Sequence, residues 1–111
     1  MDIRTIDVAH PPLKPGDAEQ LLENELQSVR MSNEGRVLKV IHGYGSYERP
    51  GGLKDVVRNW AYRNRTKLSA VIPGEEYTMF DAKTIEMRKV CGQISDPDLG
   101  AGNPGITLIW I

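Results

Sequence analysis

The sequence predicts an α/β fold in which strands alternate with helices along the chain. Short apolar runs rich in β-branched residues, typical of strands, occur at residues 3–8, 36–41, 67–72 and 106–111. Between the first three runs, residues 18–29 and 53–61 place apolar side chains at helical spacing. This alternation predicts a βαβαβ core, because the crossover between parallel strands is usually a helix.

The boundaries of the first half are set by turn and capping residues. Pro11 and Pro12 interrupt sheet pairing after the first strand. Asp17 is expected to cap the first helix, which is expected to end within residues 32–35. Residues 36–41 are apolar on both faces, which predicts a strand covered on two sides.

The second half carries an addition to the core pattern. Pro73 and Gly74 close the third strand, and Asp81 is placed to cap a short helix that reaches Gly92. Residues 95–105 are dense in Asp, Gly and Pro and are predicted to form a loop. An extra short helix or loop insertion is therefore expected before the last strand. The last strand is expected to run antiparallel to the others, which makes the predicted four-stranded sheet mixed.

Composition limits the classes of function. The length of 111 residues predicts one domain over residues 1–111. A net charge of −1 argues against a general polyanion binder, so a nucleic-acid site must be a local patch. Cys91 is the only cysteine, which excludes an internal disulfide and favours a reducing, cytoplasmic location. No signal-peptide pattern or membrane-spanning apolar run is present, so no membrane partner is expected.

The loop His42-Gly43-Tyr44-Gly45 follows an apolar strand and precedes a helix. A glycine-bearing loop at this position exposes backbone N–H groups near a helix dipole, which suits a phosphate group. The loop is neither the dinucleotide fingerprint nor the Walker loop. The same pattern is also typical of a turn whose glycines serve only conformation.

Titratable residues are expected to gather at one edge of this sheet. In a βαβ unit the carboxyl ends of parallel strands share an edge, which brings Asp7 and His10 towards His42. His42 is a candidate general acid or base in phosphodiester cleavage, or a hydrogen-bonding contact to phosphate. Asp7 is a candidate to bind a divalent cation such as Mg²⁺ or Mn²⁺, to orient a histidine, or to stabilise the adjoining turn.

Two further groups of polar residues each have two interpretations. Asp96 and Asp98 are candidate metal ligands, but turn chemistry is the favoured interpretation. A basic set on and after the second helix, accompanied by three tyrosines that can stack on bases, is either a nucleic-acid surface or a solvated helix face. Of the basic set, Lys54 and Arg58 are the best candidates to contact the phosphate backbone of a nucleic acid, because they are nearest the glycine loop. The remaining members are Arg63, Arg65 and Lys67, with Tyr44, Tyr47 and Tyr62.

With these residues located, the chain resembles the small MutS-related domains, known as Smr domains. The family has four motifs in order: a first-strand Leu-Asp-x-His-Gly, a His-Gly-x-Gly, a Gly-x-Leu-like helix start and a Gly-x-Thr-x-Val-like final strand. The corresponding segments are Ile6-Asp7-Val8-Ala9-His10, His42-Gly43-Tyr44-Gly45, Gly51-Gly52-Leu53-Lys54 and Gly105-Ile106-Thr107-Leu108-Ile109.

The resemblance implies a two-layer α/β sandwich with a four-stranded sheet. It also implies DNA or RNA as partner: some members nick DNA or cleave RNA, and others only bind nucleic acid. A ribonucleoprotein such as the ribosome is a candidate partner. Asp7 and His42 match the family positions directly, whereas Ala9 fills the first-motif histidine position and His10 is displaced by one residue. The resemblance thus implies Asp7, His10 and His42 as the candidate catalytic residues.

Overall fold

The computed structural model describes residues 3–32, 36–44, 52–92 and 95–111. The elements follow the predicted order with one extra helix before the last strand, which confirms the α/β class. They are β1 Ile3–Asp7, α1 Pro15–Ser32, β2 Val37–Ile41, α2 Gly52–Arg63, β3 Ala70–Pro73, α3 Ala82–Cys91 and β4 Ile106–Trp110, with single 3₁₀ turns at Arg65–Lys67 and Gly74–Glu76. None of the helices in these ranges is long and apolar enough to cross a membrane.

The four strands form a mixed sheet in the order β1-β2-β4-β3. β1 and β2 are parallel, and β4 runs antiparallel to both β2 and β3. The carboxyl ends of β1, β2 and β3 therefore share one edge with the amino end of β4. We call this edge the strand-end edge, and it is where the loops after β1 and β2 meet the loop that leads into β4.

One face of the sheet is covered by α1 and α2, as expected for an α/β sandwich. The buried apolar residues of α1 recur at intervals of three or four, so they form one stripe that packs on the strands. Removing each such side chain from water stabilises the fold by about 1.5–3 kcal/mol. The helix-side core consists of Ile6, Val8, Leu38, Val40 and Ile109 from the strand side and Ala18, Leu22, Leu26, Val57, Trp60 and Ala61 from the helices.

The opposite face is covered by the predicted insertion. Tyr77, which precedes α3, and Met87, which lies in α3, pack with Val37 and Leu108 of the two central strands. This second cover explains why β2 and β4 are buried on both faces, as the apolar pattern of residues 36–41 predicted. The insertion is therefore part of the packed fold.

One predicted helix start needed correction, and another was confirmed. The first helix begins at Pro15, where the missing N–H of proline costs no hydrogen bond, and its first bond joins Ala18 N–H to Lys14 O at 3.0 Å. Asp17 therefore lies in the first turn and is not the cap. Asp81 does cap α3, because its carboxylate accepts from Thr84 N–H at 2.9 Å.

The third strand is shorter than predicted at its start. It begins at Ala70, opposite Trp110, and residues 65–67 form a 3₁₀ turn. Ser69 N–H still donates to Trp110 O at 2.7 Å, but β4 ends at Trp110 and the ladder does not continue beyond this bond in the described chain. The length of β3 is thus set by its neighbour in the sheet.

Candidate functional site

Three loops lie side by side at the strand-end edge. Val8 N–H extends the pairing of β1 with β2 by donating to Ile41 O at 3.0 Å. The backbone N–H groups of His42 and Gly43 both donate to Gly105 O, at 3.0 and 3.1 Å. A Cβ atom built on Gly43, whose φ is +75°, would lie 3.9 Å from that of Ala9. The Gly43 amide is therefore used inside the protein, and a side chain at Gly43 would be strained.

His42 is buried, with 3% of its surface exposed, and both of its ring nitrogens have partners. Nδ1 lies 2.7 Å from Gly43 O, and Nε2 lies 2.8 Å from Thr107 Oγ1. A carbonyl oxygen only accepts, so Nδ1 carries the proton and Nε2 accepts from the threonine hydroxyl. The ring therefore joins the glycine loop to β4.

Arg58 continues this chain of hydrogen bonds to the surface. Its Nε donates to Thr107 Oγ1 at 3.0 Å, and its Nη2 donates to Ile106 O at 3.3 Å. The guanidinium also makes a bidentate pair with Glu75, at 2.6 and 3.1 Å. Lys54 Nζ lies 3.5 Å from the same carboxylate. We call His42, Thr107, Arg58, Glu75 and Lys54 the His42 network.

The contacts within the network lower the pKa of both His42 and Glu75. Burial lowers the pKa of His42, and the charges of Arg58 and Lys54 lower it further, which outweighs the opposite effect of the hydrogen bond to Gly43. His42 is therefore neutral at pH 7. The hydrogen bonds from Arg58 lower the pKa of Glu75 to about 2, so this carboxylate is ionised.

His10 lies at the same edge in a different environment. Asp7 Oδ1 accepts from the backbone N–H groups of Ala9 and His10, at 2.8 and 3.1 Å. The His10 Nδ1 atom lies 3.2 and 3.1 Å from the two oxygens of the same carboxylate. The His10 side chain is 71% exposed, and no residue in the described part of the chain hydrogen-bonds its Nε2.

The hydrogen bonds at Asp7 define the roles of both partners. Desolvation opposes ionisation, but the bonds from Ala9 N–H and His10 lower the pKa of Asp7 below its ordinary value. An ionised carboxylate only accepts, so Nδ1 of His10 carries a proton, and Nε2 is the ring nitrogen left without a partner in the described chain. Asp7 thus both stabilises its turn and orients a histidine, two of the roles considered from the sequence.

Asp7 and His42 were expected to lie close together, but the strand register separates them. Asp7 is paired with Ile41, and Ile41 packs on the α3 side of the sheet. The partner of His42 is Thr107, which is paired with Val40 on the α1 and α2 side. Paired residues share a face and successive residues alternate, so Asp7 and His42 share the edge but occupy opposite faces.

The remaining predicted residues divide between two ends of the sheet. Tyr44 is 70% exposed at the strand-end edge, while Gly45 lies outside the described residues, as do Tyr47 and Gly51. Arg65 stacks on the ring of Tyr62 at 4.1 Å, just before β3 and so towards the opposite edge. The basic set read from the sequence is therefore not one continuous surface.

Asp96 and Asp98 hold a buried lysine. Lys39 projects from the middle of β2, and its Nζ lies 2.5 Å from Asp96 and 2.7 Å from Asp98. Tyr77 donates its hydroxyl proton to Asp96 at 2.9 Å. Burial disfavours the Lys39 ammonium, but the two carboxylates outweigh this and raise its pKa. The aspartates thus anchor the insertion to the sheet.

Divalent cations were considered at Asp7 and at the Asp96 and Asp98 pair. Among the residues described, no three His, Cys, Asp or Glu side chains are grouped as ligands for a metal ion. Asp7 is engaged by its turn and by His10, and the aspartate pair is engaged by Lys39. These residues therefore do not form a ready ligand set for Mg²⁺ or Mn²⁺.

Two important residues, Lys39 and Glu75, were not singled out from the sequence, and Thr107 was named only as the threonine of the final-strand motif. Lys39 and Thr107 are isolated polar residues within apolar strands, and that interruption is a usable signal for a buried polar contact. Glu75 carries no such signal, because its partner Arg58 is 17 residues away and on another element.

Comparison with models of known protein families, with curated proteins and with solved structures found no match.

Proposed function

We propose that this chain is a Smr-like module that binds nucleic acid at the strand-end edge. The observation that carries the proposal is the exposed imidazole of His10, which Asp7 holds in a fixed orientation. The loop that bears His10 adjoins the glycine loop through Ala9 and Gly43. The four Smr-like motifs supply the link from this edge to nucleic acid.

The Asp7 contact determines what His10 can do. With Nδ1 bonded to the carboxylate, Nε2 is the ring atom that a ligand can reach. The neutral ring accepts a hydrogen bond there, and the protonated ring donates one to a phosphate oxygen. A side chain that is already oriented loses less entropy when it binds.

Tyr44 indicates the kind of nucleic acid. Its ring is 70% exposed beside the glycine loop, where an unpaired base can stack on it. The net charge of −1 is unfavourable for sequence-independent binding of a duplex backbone. Both observations favour ligands with unstacked bases, such as looped RNA or branched DNA.

The burial of His42 argues against this residue as the group that transfers a proton in cleavage, and so favours a binding function for the edge. A general acid or base must reach the proton that it transfers, and both nitrogens of His42 are bonded inside the protein. Its place between Gly43 and Thr107 supports a role in holding the glycine loop against β4.

Fluorescence anisotropy with a labelled RNA hairpin, a branched DNA and a plain duplex tests the proposal. Tyr44→Ala and His10→Ala should each weaken binding of the hairpin or the branched DNA about 5-fold, as expected for one lost stacking or hydrogen-bonding contact. Tyr62→Ala is the matched control, because Tyr62 is 65% exposed but stacks with Arg65 towards the opposite edge. Unchanged affinity in both edge variants, or an equal loss in the control, would reject the strand-end edge.

Phosphodiester cleavage is a second candidate, and the pairing of Asp7 with His10 is the observation that favours it. A carboxylate that orients a histidine is a common arrangement for proton transfer. Supercoiled plasmid and a structured RNA, each incubated with EDTA and with Mg²⁺ or Mn²⁺, test for cleavage. Cleavage that is lost in His10→Ala supports this candidate, and cleavage that persists undiminished in that variant rejects it. Activity that survives EDTA assigns a reaction without metal.

A further inference from the structure

Glu75 occupies the position that a ligand phosphate would take beside Arg58 and Lys54. Its carboxylate is bidentate on the guanidinium and lies 3.5 Å from Lys54 Nζ. We infer that Arg58 and Lys54 form a phosphate site and that Glu75 is its internal occupant, which an incoming phosphate displaces. The inference rests on the proposed function and adds how binding at the edge is limited.

Arg58 keeps its orientation independently of Glu75. Nε is bonded to Thr107 Oγ1 and Nη2 to Ile106 O, so the guanidinium is held by β4 from behind. These two contacts remain when the carboxylate moves away. The cation is therefore prepared for an anion, and little reorganisation is needed on binding.

Glu75 is held much less firmly. Its side chain is 41% exposed, and apart from its own backbone N–H its carboxylate is bonded in the described chain only to the two cations. The backbone beside it is closely packed, because a Cβ atom on Gly74 would lie only 1.9 Å from Asn103 O. Release of the site thus needs only a rotation of the Glu75 side chain.

A phosphate competes well for this position. Both a carboxylate and a phosphate present two oxygens to the parallel N–H groups of arginine, and a phosphate group has further oxygens for Lys54. The pKa of Glu75 is about 2, so its charge persists at neutral pH and displacement occurs by competition with another anion. The apparent affinity is then reduced by the fraction of molecules whose site is occupied by Glu75.

Comparing Glu75→Gln with Glu76→Gln tests this inference. The two substitutions change the net charge equally, but Glu76 is an exposed neighbour whose carboxylate forms no ion pair in the described chain. Glu75→Gln should bind the RNA hairpin about 5-fold more tightly than wild type, while Glu76→Gln stays within about 2-fold. Equal gains, or weaker binding by Glu75→Gln, would overturn the inference.

Inorganic phosphate provides a test on the wild-type chain that does not depend on how a variant folds. During an NMR titration, the Glu75 side-chain carboxyl carbon and Arg58 Nε resonances should shift together and saturate, and constant resonances would overturn the inference. Phosphate binding without nucleic-acid binding would retain this site and reject the proposed function. Nucleic-acid binding that is equal in both glutamine variants would retain the proposed function and reject the role of Glu75 at this site.

Discussion

The two histidines of this chain lie at one edge of the sheet in opposite environments. His42 is 3% exposed and uses both ring nitrogens inside the protein, whereas the His10 side chain is 71% exposed and uses only Nδ1. The glycine-rich motif drew attention to His42, but the hydrogen bonds make His10 the histidine that a ligand can reach. The comparison teaches that a motif can mark a residue that holds a loop in place.

Replacing each histidine by alanine should show the largest difference between them, in the free energy of unfolding. His42→Ala removes a buried ring and leaves Gly43 O and the Thr107 hydroxyl without their partner, so it should destabilise the fold by about 2–4 kcal/mol. His10→Ala removes an exposed ring and should cost less than about 1 kcal/mol. Chemical denaturation measures both free energies of unfolding, and similar losses would contradict the contrast.

Thr107→Val sharpens the comparison by testing the network without removing a ring. The substitution keeps the shape but takes away the hydroxyl that donates to His42 and accepts from Arg58. Leaving these buried groups unsatisfied should cost about 1–3 kcal/mol. Thr5→Val is the matched control, since Thr5 is exposed in β1, and it should stay within about 0.5 kcal/mol. A loss in the control as large as that in Thr107→Val would argue against the network.

The smallest expected effect is the dependence of stability on pH. The pKa of His42 is lowered by burial from its ordinary value of 6.5, so the unfolded chain takes up a proton at higher pH than the folded protein does. Proton uptake therefore favours unfolding, and the stability contributed by neutral His42 decreases as the pH falls below 6.5 towards the folded value. Thermal unfolding at pH 7.5 and 5.5 measures the decrease. His42→Gln should reduce it, and an unchanged decrease would show that another group is responsible.

The predictability of the site differs from residue to residue. The Asp81 cap could be recognised because the helix signal is local, and Asp7 because it ends a short strand just before a turn marked by prolines. The opposite faces of Asp7 and His42 could not, because they depend on how β1 and β2 align. A shift of one residue in a strand moves a side chain to the other face.

The polar contacts across the sheet were the least predictable part. Glu75 meets Arg58 only because β4 enters the sheet between β2 and β3, which brings the turn after β3 close to α2. Lys39 meets Asp96 across 57 residues for a similar reason, because the insertion folds over the second face. No local pattern encodes such pairs.

The α/β class, the helices, the apolar central strand and the insertion before the last strand could all be predicted from the amino-acid sequence. These follow from periodicity and from turn residues, which act over a few positions along the chain. The tertiary structure alone decided the strand order, the face of each histidine and the partners of the charged residues. Those features depend on register and on packing between distant segments, and they leave His42 inside the fold and His10 in contact with solvent.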